Sequence, residues 1–389
     1  MIAVIADDLT GAAEIGGVGL HYGLTAEVQT GRYRPPRSDL VVFDTSSRSL
    51  SRNQARTSVR KAASTVRPMA AQTIYKKVDS AMRGHLLAEL EALLVGLGRD
   101  RALLIPANPT LGRTIAKGKY LVGGTPLHET DFSRDPEHPI TTSKVLDLLG
   151  ESDLFKVSVL EDPQSIPRGT IAIGCAESWD DLLTWVARLE PSCLPAGASD
   201  FFASVLESQD FRVAARSTVA PSRGLGKSLF VCGSRSDCSR RAVLEAERQG
   251  LPVSWMPPEM IKGNAERHLN RWAATTSGLL DRHSLAIVAL GRLPDDSGAA
   301  LARRLRDYTA ALVKKVLRKT SVQQLYIEGG ATSSGIVRAL RWHRFHPVEE
   351  LSRGVVRMQV DGEGMLHVTV KPGSYPWPEG VLLHSGHEG

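Results

Sequence analysis

Short apolar runs that stop at a polar turn and pass into a helix-like stretch recur along this chain, and no other feature limits its fold as tightly. Residues 2–5 lead into ADDLTGAAEIGGVGL, residues 40–43 into DTSSRSLS, and residues 103–105 into PANPTLGRT. A strand that is apolar at every position is buried on both faces, and such strands alternating with helices build parallel sheets. Leu86, Leu90, Leu93, Leu94 and Leu97 stand at helical spacing, and Gly98 is placed to end that helix.

A second series follows a break in periodicity. The stretch STVAPSRGLGKS, residues 217–228, gains Gly, Pro and Ser and reads as a linker. The expected division is a first domain over 1–220, a linker over 221–227 and a second domain over 228–389. A length of 389 residues fits two cores better than one. The second series runs through SLFVCGSRSDCSRRAVLEAERQG, LAIVALG and LYIEGGATSSGIVRAL to LHVTVKPGSY. Within it, residues 298–318 read as a long amphipathic helix. Leu301, Leu305, Tyr308, Leu312 and Val316 form its buried stripe, and its Arg and Lys residues face water. The tail after Val381 is expected to be loose. The fold class is α/β: two domains, each with a mostly parallel sheet flanked by helices.

Composition removes several classes. The net charge of +6 is spread among acidic neighbours and aromatics make up 5%, so a basic stripe with stacking platforms is not supported. No apolar run approaches the roughly 20 residues that span a bilayer. The opening MIAVIADDLTG has no basic segment and reads as a buried strand, not a signal peptide. Cys175, Cys193, Cys232 and Cys238 stand apart with no CxxC spacing, which points to reduced cytoplasmic thiols.

The chemistry gathers at strand ends, where open α/β sheets bind ligands. Asp7 and Asp8 precede Thr10 and Gly11; a carboxylate there can orient or deprotonate a hydroxyl, or cap the following helix. Lys77, Asp79, Ser80 and Arg83 lie together in KKVDSAMRGH. They suit a carboxylate-bearing polyol, or a surface turn of offsetting charges. Residues 106–136 are rich in Gly, Pro and Thr without periodicity, as in a lid or binding loop. VCGSRSDCS, residues 231–239, suits an anion cradle or an ordinary serine-capped junction, and lacks the lysine-serine ending of a Walker A loop. EGGATSSG, residues 328–335, permits close approach of a nucleotide, and Lys371 and Gly373 end the closing strand.

Taken together these segments resemble the four-carbon acid sugar kinase family. Its ADDxTGA motif resembles residues 6–12, and KxDSTLRGN resembles 77–85. PAxPxxGRxTxxGxxYVxGxPLxET resembles 106–130. GSxS resembles 233–236, GGETSG resembles 329–335 and KxGxFG resembles 371–375. The resemblance implies an ATP-dependent kinase acting on threonate, erythronate or 3-oxo-tetronate, with the acid in the N-terminal domain, ATP in the C-terminal domain and the active site in the interdomain cleft. Asp8, Arg48, Lys77, Asp79 and Ser80 would contact the acid, joined by Arg83 from the charge cluster, with Lys77 and Arg48 on its carboxylate. Asp79 or Asp8 would act on the attacking hydroxyl. Ser234, Ser236, Gly329, Gly330, Ala331, Thr332 and Gly373 would contact ATP, and Mg²⁺ would bridge its terminal phosphates; no protein metal ligand is assigned. The resemblance implies the sugar acid and ATP as partners; with the composition, the expectation is a cytoplasmic enzyme with no nucleic acid and no membrane, and a homodimer is left open.

The chain departs from the motifs at Ala331, where the family has Glu, and in DSAMRGH, TSSG and KPGSYP. These departures leave two further readings: a kinase for a different small hydroxy acid, and a sensor that binds without transfer. An oxidoreductase is disfavoured, because no G-x-G-x-x-G follows a strand with an acidic residue about 20 positions on.

Overall fold

The wholly apolar runs become strands covered on both faces: β1 (Ile2–Ala6) and β3 (Leu40–Asp44) are buried at every position. The computed structural model describes residues 1–135, 137–214, 226–233, 237–262, 265–291, 298–373, 375–378 and 380–382. The chain divides into two units, Met1–Ala215 and Arg216–Gly389. Residues 221–225 of the expected linker and residues 383–389 of the expected loose tail lie outside the described residues.

In the first unit, α1 (Leu9–His21) and β2 (Ala26–Thr30) stand between β1 and β3 in sequence. Then come α2 (Arg52–Val66), β4 (Thr73–Lys77), α3 (Leu86–Leu97) and β5 (Arg101–Ile105). Gly98 adopts φ 69° and ends α3 as the leucine spacing predicts. A small antiparallel sheet follows, made of β6 (Arg113–Ala116), β7 (Lys119–Val122) and β8 (Thr125–Pro126). The unit closes with α4 (Val145–Leu149), β9 (Lys156–Leu160), β10 (Thr170–Gly174), α5 (Trp179–Ala187), β11 (Leu194–Gly197) and α6 (Ser199–Ser208). Its main sheet is parallel throughout, in the order β2-β3-β1-β4-β11-β5-β10-β9.

Residues 106–136 are therefore not one irregular loop. Their strands are two to four residues long, too short for a period-2 pattern to register.

The second unit contains β12 (Ser228–Cys232), α7 (Asp237–Arg248), β13 (Val253–Trp255), α8 (Glu259–Lys262), α9 (Ala265–His283) and β14 (Leu285–Ala289). It continues with α10 (Ala299–Lys319), β15 (Gln324–Glu328), α11 (Gly330–Leu340), β16 (Arg344–Ser352), β17 (Val355–Val360) and β18 (His367–Lys371). The order is β13-β14-β12-β15-β18-β17-β16, parallel as far as β18 and antiparallel beyond it. Phe230 stacks on Tyr326 with ring centroids 4.2 Å apart, and Trp377 packs edge-on against both. The buried face of α10 is rotated from the expected stripe: Leu305, Leu312 and Val316 are buried, joined by Thr309 and Val313, while Leu301 and Tyr308 are half-buried. No described helix is long and apolar enough to cross a membrane.

Two stability predictions follow from the first unit. A Cβ at Gly197 would land on the carbonyl oxygen of Ile105 and lie 2.9 Å from both Phe201 and the Tyr75 hydroxyl, whereas open space surrounds Gly98. Gly197→Ala is expected to lower the unfolding free energy by about 1–3 kcal/mol, while Gly98→Asn changes it little; urea denaturation reads both.

The second concerns Asp44, fully buried at the end of β3. Burial pushes its pKa up to about 6, although Ser46 donates to it from N–H (2.7 Å) and hydroxyl (2.8 Å). Between pH 3.8 and about 6 the folded chain therefore binds more of this proton than the unfolded one, so stability falls as pH rises through that window. Asp44→Asn is expected to flatten this segment of the stability profile by about 1–3 kcal/mol, read as urea midpoints between pH 4 and 7.

Candidate functional site

Adjacent pairing of β3, β1 and β4 sets Asp44, Ala6 and Lys77 in one row, so the turns that follow them share an edge. Asp7 and Asp8 leave β1, Arg48 sits in the turn after β3, and Asp79 and Ser80 leave β4. The chain crosses from one side of β1 to the other here, the switch point at which open sheets bind ligands.

Arg48 joins these turns. Its Nε donates to Asp7 Oδ2 at 2.7 Å and its Nη1 to Asp8 Oδ2 at 3.0 Å, with Asp79 Oδ1 at 3.5 Å. Arg83 forks onto Asp79 through Nε (2.8 Å) and Nη2 (2.9 Å), and its Nη1 reaches Asp135 Oδ2 at 2.8 Å. Arg113 donates to the Ser80 hydroxyl. The Phe132 ring lies 5.2 Å from the Arg83 guanidinium and 5.3 Å from that of Arg113, within cation–π range of both. His138 Nε2 donates to the Arg48 carbonyl at 2.7 Å.

The electrostatics follow from this pairing. Burial alone would raise the pKa of Asp79, but Arg83 and Arg48 outweigh it and hold the carboxyl well below the usual range. Asp7 is lowered in the same way, burial being overcome by Arg48 and Lys76. Arg48, against the cost of its own burial, is pushed up by Asp7, Asp8 and Asp79. Asp7 and Asp79 are thus held in their charged form by the guanidiniums beside them. Asp8 is both cap and site residue: its Oδ1 accepts from the Gly11 N–H at 2.8 Å at the start of α1, and its Oδ2 accepts from Thr10 and Arg48. Asp7 Oδ1 is buried without a hydrogen-bond partner among the described residues, an acceptor available to a donor from a ligand.

Lys77 faces inward. Its ammonium lies 3.0 Å from Glu14 Oε2 and donates to the Val78 carbonyl at 3.0 Å. Its side chain is 3% exposed, against 16% for Arg48 and 21% for Arg83, so those two guanidiniums are more open at this edge than Lys77. The structure thus brings Asp8, Arg48, Asp79, Ser80 and Arg83 together and places Lys77 beneath them. It keeps Asp7 beside Asp8 and adds Arg113, Phe132 and Asp135. The last three come from the segment that looked aperiodic in sequence, and only its length marked it for function.

The second unit places a different set at its sheet edge. Cys232, Glu328 and Lys371 end β12, β15 and β18 in one row. Gly329 takes φ 93°, a conformation that favours glycine, and turns the chain into α11, whose first residues are Gly330, Ala331 and Thr332. The first N–H groups of a helix have no partner within it, which suits an anion. Ala331 is exposed and Thr332 buried. A Cβ at Gly233 would lie 2.5 Å from Thr332 Oγ1, so the turns after β12 and β15 touch through a glycine. Gly373 follows β18, and Lys371 Nζ donates to the Tyr375 carbonyl at 2.7 Å. Ser234 and Ser236 lie outside the described residues.

Residues 2–235 match the family model described as a sugar-binding N-terminal domain, and residues 229–375 match the one described as a nucleotide-binding C-terminal domain. The D-threonate kinase of Salmonella typhimurium is 27% identical over 374 residues, covering 87% of this chain and 86% of its own. The 3-oxo-tetronate kinase of Methylobacterium radiotolerans is 26% identical and covers 96% of each chain. A Haemophilus influenzae protein described as a DUF1537 member superposes with a TM-score of 0.69, at 21% identity and 98% coverage of both chains, which speaks to the fold alone. The motifs, the two charged and glycine-bearing edges and these matches agree: the chain belongs to the family that joins a sugar-binding N-terminal domain to a nucleotide-binding C-terminal domain, the four-carbon acid sugar kinase family.

Proposed function

We propose that the chain phosphorylates a small four-carbon sugar acid with ATP, with threonate, erythronate and 3-oxo-tetronate as the candidate acceptors. The observation that carries this reading is Arg48, held across Asp7, Asp8 and Asp79 at the switch point of the first unit's sheet. An acid sugar offers a carboxylate and several hydroxyls, and this edge offers guanidiniums for the first and ionised carboxylates for the second. The relatives named as kinases support the transferase class.

Arg48 and Arg83 take the substrate carboxylate in this reading, and Ser80, with Asp8 and Asp79, takes its hydroxyls. Lys77 acts from below through Glu14. Asp79, held well below the usual carboxylate range, is a weak base that orients the attacking hydroxyl more than it deprotonates it. Phosphoryl transfer asks little more than orientation and charge neutralisation. In the second unit, the turn at Gly329 and the first N–H groups of α11 fit a phosphate chain; Gly330, Ala331, Thr332, Gly373, Ser234 and Ser236 complete the proposed ATP set. Mg²⁺ enters with ATP, neutralising its terminal phosphates. Ala331 offers no polar group at an exposed position of that turn, which favours one second reading: a member that binds both ligands without transfer.

ADP release across a panel of four-carbon acids separates the two. Turnover with at least one acid, and a rise in Tm with MgATP and with that acid, is expected; stabilisation by both without ADP would establish the sensor. Arg48→Lys loses the fork onto two carboxylates and is expected to raise KM for the acid about tenfold to a hundredfold, leaving KM for ATP within about twofold. Asp79→Asn and Asp8→Asn are each expected to lower kcat at least about tenfold. Full turnover by both would remove the carboxylates from the mechanism.

A further inference from the structure

Glu328 and Lys371 are buried side chains at the ends of adjacent strands in the second unit, 0% and 2% exposed, with Lys371 Nζ 3.2 Å from Glu328 Oε1. The pair is closed to solvent, and a buried ion pair is weak support for stability. Its partners show what it holds. Lys371 Nζ donates to the Tyr375 carbonyl at 2.7 Å and to the Pro372 carbonyl at 3.3 Å, fixing the turn that carries Gly373. The ammonium also lies 5.1 Å from the Trp377 ring centroid. Glu328 directly precedes Gly329 and α11. Burial raises its pKa, opposed by Lys371 and by the hydroxyl of Ser239 in the first turn of α7. The Lys371 carbonyl accepts from the Gly329 N–H at 2.9 Å. The turns after β15 and β18 therefore meet at one carboxylate and one ammonium beneath the sheet edge.

We propose that the Glu328–Lys371 pair is a positioning device that sets the turns after β15 and β18 in the mutual register a nucleotide's phosphates require. Neither residue touches the nucleotide; both act through the backbone they hold. The inference rests on the proposed kinase reading and names how its ATP half is ordered. Interactions of this kind decide whether a binding edge is ordered before its ligand arrives.

The test uses the full chain with Glu328→Gln, Lys371→Met and the double variant Glu328→Gln/Lys371→Met. Binding of a fluorescent ATP analogue with Mg²⁺ is measured beside thermal unfolding and binding of the sugar acid. Each single variant is expected to weaken nucleotide binding about tenfold or more while acid binding changes less than about twofold. The double variant, with no unpaired charge left inside, is expected to recover most of the lost Tm without recovering nucleotide affinity. Recovery of both together would show that the pair serves only folding, and would overturn the proposal. So would a folded single variant with unchanged nucleotide affinity, and Glu328→Gln serves here because it is nearly isosteric. If the unsubstituted chain itself binds no nucleotide, the kinase reading fails first, a result distinct from the variants' behaviour.

Discussion

Two consecutive lysines at the end of β4 organise the first unit. Side chains alternate across a strand, so Lys76 and Lys77 point to opposite faces of the sheet. Each finds a buried glutamate on a different helix: Lys76 lies 2.8 Å from Glu89 on α3, and Lys77 lies 3.0 Å from Glu14 on α1. An ammonium buried alone is strongly disfavoured, and breaking such a pair from one side costs about 3–5 kcal/mol. The two glutamates extend the order outward. Glu89 accepts from the Ser47 hydroxyl at 2.7 Å, and Ser47 immediately precedes Arg48. Glu14 accepts from the Ser199 hydroxyl at 2.8 Å, at the start of α6. The charged edge is thus ordered from beneath before any ligand arrives.

That order explains why the edge pairs its charges with one another. Arg48 and Arg83 are saturated by Asp7, Asp8, Asp79 and Asp135, and they hold the carboxyls of Asp7 and Asp79 below the usual range. A purely anionic ligand would have to displace a carboxylate and leave it unpaired. A ligand carrying both a carboxylate and hydroxyls exchanges partners more evenly, taking a guanidinium with the first and the released carboxylate with the second. Under the proposed function, the sugar acid is recognised as a combination of groups.

The sequence was a good guide wherever one local pattern sufficed. Strands covered on both faces announced themselves as continuous apolar runs, and α3 showed both its leucine stripe and its terminal glycine. Asp8, Asp79, Ser80 and Arg83 could be placed at strand ends because those ends are marked by the change from apolar to polar residues. What escaped depended on partners distant in sequence. Lys77 looked available to a ligand because nothing local shows that Glu14, 63 residues earlier, lies beneath it. Arg48 was visible only through the family motif. Arg113, Phe132 and Asp135 come from strands and turns too short to carry a period. The β16–β17 hairpin went unread because its register shifts near Pro347 and Glu350 break the alternation that would mark it.

The two edges solve different electrostatic problems. In the first unit the charged side chains lie at the edge itself, the guanidiniums partly exposed; under the proposed function they meet the one negative charge of a small organic acid. In the second unit, the paired charges of Glu328 and Lys371 lie wholly beneath the edge, and backbone N–H groups and glycines form the described surface above them. A nucleotide triphosphate arrives with a divalent cation that neutralises much of its charge, so oriented amides suit it better than a cluster of cations. Under the proposed function, alanine at position 331 removes one side chain from a surface that works mainly through its backbone. If the ion pair below orders that backbone as proposed, its order then governs how well phosphate is held.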